Sequence, residues 1–373
     1  MRRSSWRRRR VDAWRSGLWL CLLVRALPVQ ASDLTPAWLS GVLDVEVVDM
    51  TVLDHASATN QRVRIGLTYA AARAGPTSLF VKLASPDPVH REMIGASSMG
   101  EREARFYADI APSVDLRVPR PYYAASADDG SFALLLEDLA AGGCAFSDGA
   151  WGVRADAAAA ALEEMARFHA RFEAPAVRSA VAPWLAAPRP QRSDIIAQLM
   201  RTVLDEHGDV LTPAYVAAGE LYVEHHARLD ELWNAGPQTY IHGDTHIGNV
   251  FLDRGRVGFL DWGLSRVSTH LRDVSYFLTM TVDPEERRQC ERDLLRLYLD
   301  ALRTAGGADI AFDEAWFAHR VQAGYTVVAT FLAFMPSYAT GDAQGLGIAL
   351  RRHSELALDD LQVVEAMRVA LAA

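Results

Sequence analysis

The sequence predicts an α+β chain of two lobes: a small N-terminal antiparallel β-sheet lobe with one key helix, then a large, mainly helical C-terminal lobe. Three observations point there. Segments rich in Val, Ile and Thr crowd residues 45–139, the composition shifts at "AAGGC" (140–144), and long helical patterns fill most of the rest. Neither a repeat nor a low-complexity linker interrupts the chain. The expected division is an extension over 1–31, a small lobe over 32–139 and a large lobe over 140–373.

The elements follow in order. "LTPAWLSGVL" (34–43) has helical spacing behind a Thr-Pro start, an N-cap and N1 pair. "VEVVDMTVLD" and "RVRIGLTYA" are β-rich and read as strands, with the polar turn "HASATNQ" between them. "SLFVKLAS" (78–85) is a third strand, and "GEREARFYADIA" (100–111) is a charged amphipathic helix. "VPRPYYAASAD" is extended because of its prolines, and "SFALLLEDL" (131–139) is a strand ending in two acids. Beyond residue 144, "DAAAAALEEMARFHARFEA" (156–174) is a long helix whose apolar face holds Leu162, Met165, Phe168 and Phe172. "RSDIIAQLMRTVLDEH" and "PAYVAAGELYVEHHARLDELWNA" also read as helices. A segment with short strands (239–263) and a helical tail complete the chain.

The formal charge is −9. The first 31 residues hold eight arginines against Asp12, so they carry +7 and leave −16 on the remainder. An acidic body argues against nucleic-acid binding, which needs a basic surface. It weakly favours cationic ligands. Cys21, Cys144 and Cys290 are odd in number and far apart, giving neither a disulfide framework nor a zinc spacing. The N-terminus resembles a secretory signal in outline: a poly-Arg start, the apolar run "GLWLCLLV", then "VQA". That run is too short for stable membrane insertion. A cleaved signal, a membrane-surface anchor and a start placed too far upstream all fit this segment; the expectation taken is a mis-set start and a cytoplasmic protein.

The most informative stretch is "HGDTHIGNVFLDRGRVGFLDWG" (242–263). "NVFL" and "VGFLD" read as two strands joined by a "DRGR" turn. This hairpin brings Asn249 and Asp261 to the same mouth as Asp244. An Asn–Asp pair is oxygen-rich, as Mg²⁺ requires, and a separate Asp can accept a hydrogen bond from an attacking hydroxyl. This is the division of labour of phosphoryl transfer.

At this point the chain resembles the aminoglycoside phosphotransferase and choline kinase-like superfamily, with the ecdysteroid-kinase-like branch similar too. The motifs are "H-G-D-T-H-I-G-N" followed by "F-L-D-W-G". The resemblance covers about residues 34–373. It implies a bilobal protein-kinase-like fold that binds ATP and Mg²⁺ between its lobes and phosphorylates the hydroxyl of a small-molecule alcohol. No protein partner follows from it. It implies that Asp244 is the catalytic aspartate and that Asn249 and Asp261 are the magnesium ligands. Lys82 in "FVKL" matches the strand lysine that contacts the phosphates, and Glu103 matches the helix glutamate that pairs with it. Ser57, Thr59 and Asn60 fall in the loop over the phosphates, and Glu137 to Leu139 in the hinge whose backbone holds the adenine. His242 braces the loop, and Asp273 in "RDVSYFL" takes a structural role.

Two departures stand out. The phosphate loop has no glycine, which bears on how closely it covers ATP. Trp262 stands where protein kinases have phenylalanine. Two other functions compete with the phosphotransferase: a non-catalytic kinase-like nucleotide-binding module, and a metal-dependent hydrolase using the H-x-D-x-H cluster of His242, Asp244 and His246. The first predicts missing metal or base residues, the second further metal ligands. Alone, Lys82 would be a solvated strand lysine, and Glu103 a surface helix acid beside Glu101. The run "EERRQCERDLLR" (285–296) reads as a solvated helix face. The aromatic stretch 316–334 reads as core that could also line an acceptor pocket.

Overall fold

The computed structural model describes residues 27–373 apart from 58–59, 73, 89–90, 92–94, 96, 150, 187–192 and 335–341. Helix α1 (Pro36–Leu43) begins as its sequence dictates, with the Trp38 amide donating to Thr35 Oγ1 over 3.2 Å and Pro36 at N1. Strands β1 (Val47–Ser57), β2 (Asn60–Tyr69), β3 (Ser78–Ala84), β4 (Pro121–Ser126) and β5 (Phe132–Glu137) form one antiparallel sheet in the order β1-β2-β3-β5-β4. Alternation along β2 and β3 buries Val63, Ile65 and Leu67 with Leu79, Val81 and Leu83 under α1. Lys82 points to the other face, where Ala84, Leu134 and Leu136 join the larger core.

That second face is covered by α2 (Met99–Arg105), which continues through a π turn over 106–110. The sequence predicts one regular helix here. The wider turn instead brings Phe106, Tyr107 and Ile110 inward together. The polar stretch "HASATNQ" is also shorter as a turn than its composition suggests. β1 runs to Ser57 and β2 starts at Asn60, with Ser57 paired to Gln61.

The large lobe contains α3 (Ala155–Glu173), α4 (Pro175–Val181), α5 (Ser193–His207), α6 (Pro213–Trp233), α7 (His270–Met280), α8 (Pro284–Thr304), α9 (Phe312–Ala323), α10 (Tyr325–Thr330), α11 (Asp342–Asp360) and α12 (Val363–Ala372). Helix α3 buries Leu162, Met165, Phe168 and Phe172, the face its spacing predicts. α6 contains non-helical backbone at His225. Between α6 and α7 lie two small antiparallel pairs. β6 (Gln238–Ile241) pairs with β9 (Arg266–Thr269), and β7 (Val250–Asp253) with β8 (Arg256–Phe259).

One prediction for α8 is corrected. Its charged run is not simply solvated: Arg287 is 1 % exposed, paired to Glu291 at 2.9 Å and also to Asp360. One core cluster spans both lobes, joining Leu134, Leu136 and Phe106 to Phe168, Phe259 and Trp262. No helix among the described residues is long and apolar enough to cross a membrane.

Candidate active site

The loop 242–249 leaves β6 and turns before β7. Asp273, on α7 and 1 % exposed, anchors it. The His242 amide donates to Asp273 Oδ2 over 2.6 Å and the Gly243 amide to Oδ1 over 2.7 Å. Thr245 Oγ1 donates to the Asp273 carbonyl over 3.0 Å. Burial alone would raise the Asp273 carboxyl, but His169, His242 and the Gly243 amide hold it below its ordinary value. Gly243 has φ +84°, and a Cβ there would come within 2.6 Å of the Leu264 carbonyl. The loop therefore needs glycine at this position.

His242 is fixed by its surroundings. Its Nε2 faces the Leu260 carbonyl at 2.9 Å and must donate, while Nδ1 accepts the Asp244 amide at 3.2 Å. Burial lowers its pKa against the pull of Asp273 and Asp244, in keeping with that neutral form. Both ring nitrogens are engaged, so the H-x-D-x-H hydrolase reading loses one of its ligands. Among the described residues no group of three His, Cys, Asp or Glu side chains could hold a metal ion. His246 lies 3.5 Å from Asp244 and accepts the Gly248 amide at Nδ1 over 3.0 Å. Burial would lower its pKa, but Asp244 and then Asp261 raise it.

Asp244 and Asn249 are locked together. Asn249 Nδ2 donates to Asp244 Oδ2 over 2.8 Å and to its carbonyl over 3.0 Å. The Leu260 amide donates to the Asn249 carbonyl over 2.9 Å, so the hairpin brings Asn249 beside the strand that ends at Asp261. Asp261 has left-handed backbone (φ +61°, ψ +68°), a conformation uncommon outside glycine and found where surrounding structure enforces it. That enforcement is visible. Trp262, 1 % exposed, stacks on Phe106 with ring centres 3.7 Å apart and lies 4.4 Å from His242.

Lys82 closes the arrangement from the small lobe. Its Nζ lies 2.6 Å from Glu103 Oε2 and 3.1 Å from Asp261 Oδ1. Burial would lower the ammonium's pKa; Asp261 and Glu103 overcome this and raise it, so lysine stays charged. Burial pushes the Glu103 carboxyl up to about 7 against the pull of Lys82.

The remaining predicted residues that are described sit on β1, β2, β5 and the turn after β5. Ser57 and Asn60 flank the tip of the β1–β2 hairpin, Asn60 opposite Ala84 and Arg62 opposite Lys82. Thr59 lies outside the described residues. At the end of β5, the Glu137 carboxylate clamps Arg117 through two 2.9 Å bonds, and its amide donates to the Arg120 carbonyl. The Leu139 carbonyl accepts from Cys144. A cavity of about 540 Å³ lined by Arg91, Glu101, Arg105 and Asp129 opens on the side of α2 away from Glu103 and includes none of these residues. Sequence reasoning missed His169 and Tyr298, which bond each other at 2.8 Å behind Asp273, and Tyr276 beside Asp244. The segment "RDVSYFL" held the only signal for Tyr276.

Fold and site together define a kinase-like phosphotransferase. Residues 56–310 match the family model for the phosphotransferase enzyme family, and the chain belongs to that family. Among solved structures, a Ralstonia eutropha protein assigned to the aminoglycoside phosphotransferases is 15% identical. The match covers 88% of this chain and 97% of that one, with a TM-score of 0.52. A choline/ethanolamine kinase family protein of Mesorhizobium loti is 15% identical over 86% and 92% of the two chains, with a TM-score of 0.46. A Plasmodium vivax ethanolamine kinase is 11% identical over 82% and 81%, with a TM-score of 0.43. Among curated proteins none matches.

Proposed function

We propose that this chain transfers the γ-phosphoryl group of ATP, with Mg²⁺, to a hydroxyl of a small-molecule alcohol. The observation that carries this is Lys82, held by Glu103 and Asp261 together, which ties the small lobe to the end of the hairpin whose Leu260 amide meets Asn249. Asp244 would accept the proton of the attacking hydroxyl. That oxygen forms the new bond to phosphorus as the bond to the β-phosphate oxygen breaks and ADP leaves. Lys82 would bind the phosphates. Residues 32–139 would supply the nucleotide site, 140–373 the catalytic loop and the acceptor site.

The donor set fits a hard cation. With Nδ2 committed to Asp244, Asn249 keeps Oδ1, and Asp261 keeps Oδ2 while Oδ1 meets Lys82. When bound there, Mg²⁺ would offset the negative charge of the phosphates. Within the chain, the Asn249 amide orients Asp244, and His242 and Asp273 hold the loop that presents it.

The test is Mg·ATP-dependent transfer to an alcohol panel by wild type and Asp244→Asn. The variant is expected to lose roughly 10²–10⁴-fold in kcat, the usual contribution of a general base. Mg·ATP binding without turnover by wild type would defeat the enzyme reading in favour of a nucleotide-binding module.

A further inference from the structure

One helical turn from Tyr276, the neighbour of Asp244, lies a buried cation without an ion pair among the described residues. α7 places Arg272 one turn before Tyr276, so the two side chains share a face of the helix. Tyr276 adjoins Asp244: burial first, then the charge of that carboxylate, pushes its phenol well above its ordinary value. Arg272 is 5 % exposed, and its guanidinium lies 3.0 Å from the centre of the Tyr325 ring and 5.7 Å from that of Trp233. Among the described residues nothing accepts a hydrogen bond from it, and Nη1 is buried without a partner. Asp230 on α6 acts on it only through space. Burial above all lowers its pKa to about 10, with Arg266 adding to the effect, so it stays protonated at neutral pH.

Arg266, on β9, stands nearby. A Cβ at Gly243, next to Asp244, would be 3.5 Å from its Nη1. It too forms no ion pair among the described residues. Other buried arginines find acceptors: Arg287 pairs with Glu291 and Asp360, and Arg102 donates to the Ser97 and Ser265 carbonyls. A buried guanidinium without an anion is costly, and stacking on aromatic rings offsets only part of that cost. Its planar fork matches a carboxylate through two parallel hydrogen bonds.

We propose that Arg272, assisted by Arg266, receives a carboxylate of the acceptor, so that the substrates are hydroxy acids rather than amino alcohols. This rests on the kinase reading above and names its acceptor class. The hydroxyl end meets Asp244 and the carboxylate end meets Arg272, which orients the substrate at two points. The same cations repel an acceptor ammonium, so local charge overrides the net negative charge of the chain.

The experiment first measures Mg·ATP binding by thermal shift, then Mg·ATP-dependent phosphorylation of matched sets: hydroxy acids, their neutral methyl esters, and amino alcohols of equal length. Wild type should use a hydroxy acid at lower KM than its ester. Arg272→Met should raise the KM for the acid roughly 10- to 100-fold, the loss of a hydrogen-bonded charge, and leave the ester and the KM for ATP unchanged. Arg272→Lys should recover part of the loss. Arg266→Gln, at a partly exposed site, gives a second reading if the Met variant does not fold, and it should also raise the KM for the acid. The inference is overturned by preference for amino alcohols or esters, by use of no hydroxy acid, by equal losses on acid and ester, or by a raised KM for ATP. Wild type that does not bind Mg·ATP at all defeats the kinase reading instead, and this inference with it.

Discussion

Lys82 is the one lysine among 38 basic residues, and its surroundings explain why arginine does not stand there. The site is 6 % exposed and must bring one charge within 2.6 Å of Glu103 and 3.1 Å of Asp261. A compact ammonium on a flexible stem reaches both, whereas a planar guanidinium needs more width than this space offers. Overpacking a buried site costs about 1–3 kcal/mol, and small misplacements of a positioning group cost up to roughly 10²-fold in rate. Lys82→Arg is therefore expected to lower kcat/KM for Mg·ATP by about 10²-fold with charge preserved. An unimpaired variant in the same assay would remove the argument that geometry, rather than charge, selected lysine. The spacing within "HGDTHIGN" and "FLDWG" brought Asp244, Asn249 and Asp261 into one reading, and the family resemblance that those motifs carry added Lys82 and Glu103. The sequence did not disclose the Arg272 stack or the His169–Tyr298 bond behind Asp273. Those contacts join residues far apart in the chain, and no local pattern encodes them.

At the scale of elements, strands and long helices were legible because burial follows their periods of two and 3.6. The π turn in α2, the break at His225 and the extension of β1 and β2 into the polar stretch were not. Each is fixed by packing or pairing that propensity does not contain. The start of the small lobe has a similar basis. Leu27 and Ala31 pack on the core beneath α1, and the Val29 carbonyl accepts from buried Gln61 Nε2 over 2.7 Å. Cleavage after Ala31, one outcome the signal-like N-terminus allows, would remove all three contacts. Gln61 would keep the Ala84 carbonyl at 2.8 Å and lose its second acceptor. A protein starting at Ser32 should be less stable than one starting at Leu27 by about 1–3 kcal/mol, the usual effect of losing a partner in a buried polar pair. Urea unfolding of the two proteins measures it; equal midpoints and slopes would mean that residues 27–31 add nothing to the fold.

For the whole molecule, the two lobes share one core through α2, and the large lobe seals several histidines inside it. His242, His270 and His353 are all lowered by burial, His270 and His353 to about 4. Between the ordinary value near 6.5 and about 4, the unfolded chain takes up protons at these positions that the folded chain refuses. Stability then falls as pH falls through that window. Glu103 opposes them. Its folded value of about 7 lies above the ordinary 4.5, so its contribution is present at low pH and is lost as pH rises through 7. Asp109 and Asp230, raised by burial from 3.8, add to that opposition near the bottom of the window. The three imidazoles act across the whole of it, and the net expectation is a fall in the free energy of unfolding from pH 6.5 to pH 4. His353 lies on α11, outside the candidate active site. His353→Gln should make the fall shallower by about one proton's slope, roughly 1.4 kcal/mol per pH unit where that histidine titrates. Urea unfolding at a series of pH values reads both slopes. Stability that is flat or rising from pH 6.5 to pH 4 would show that these imidazoles are not held neutral by the fold.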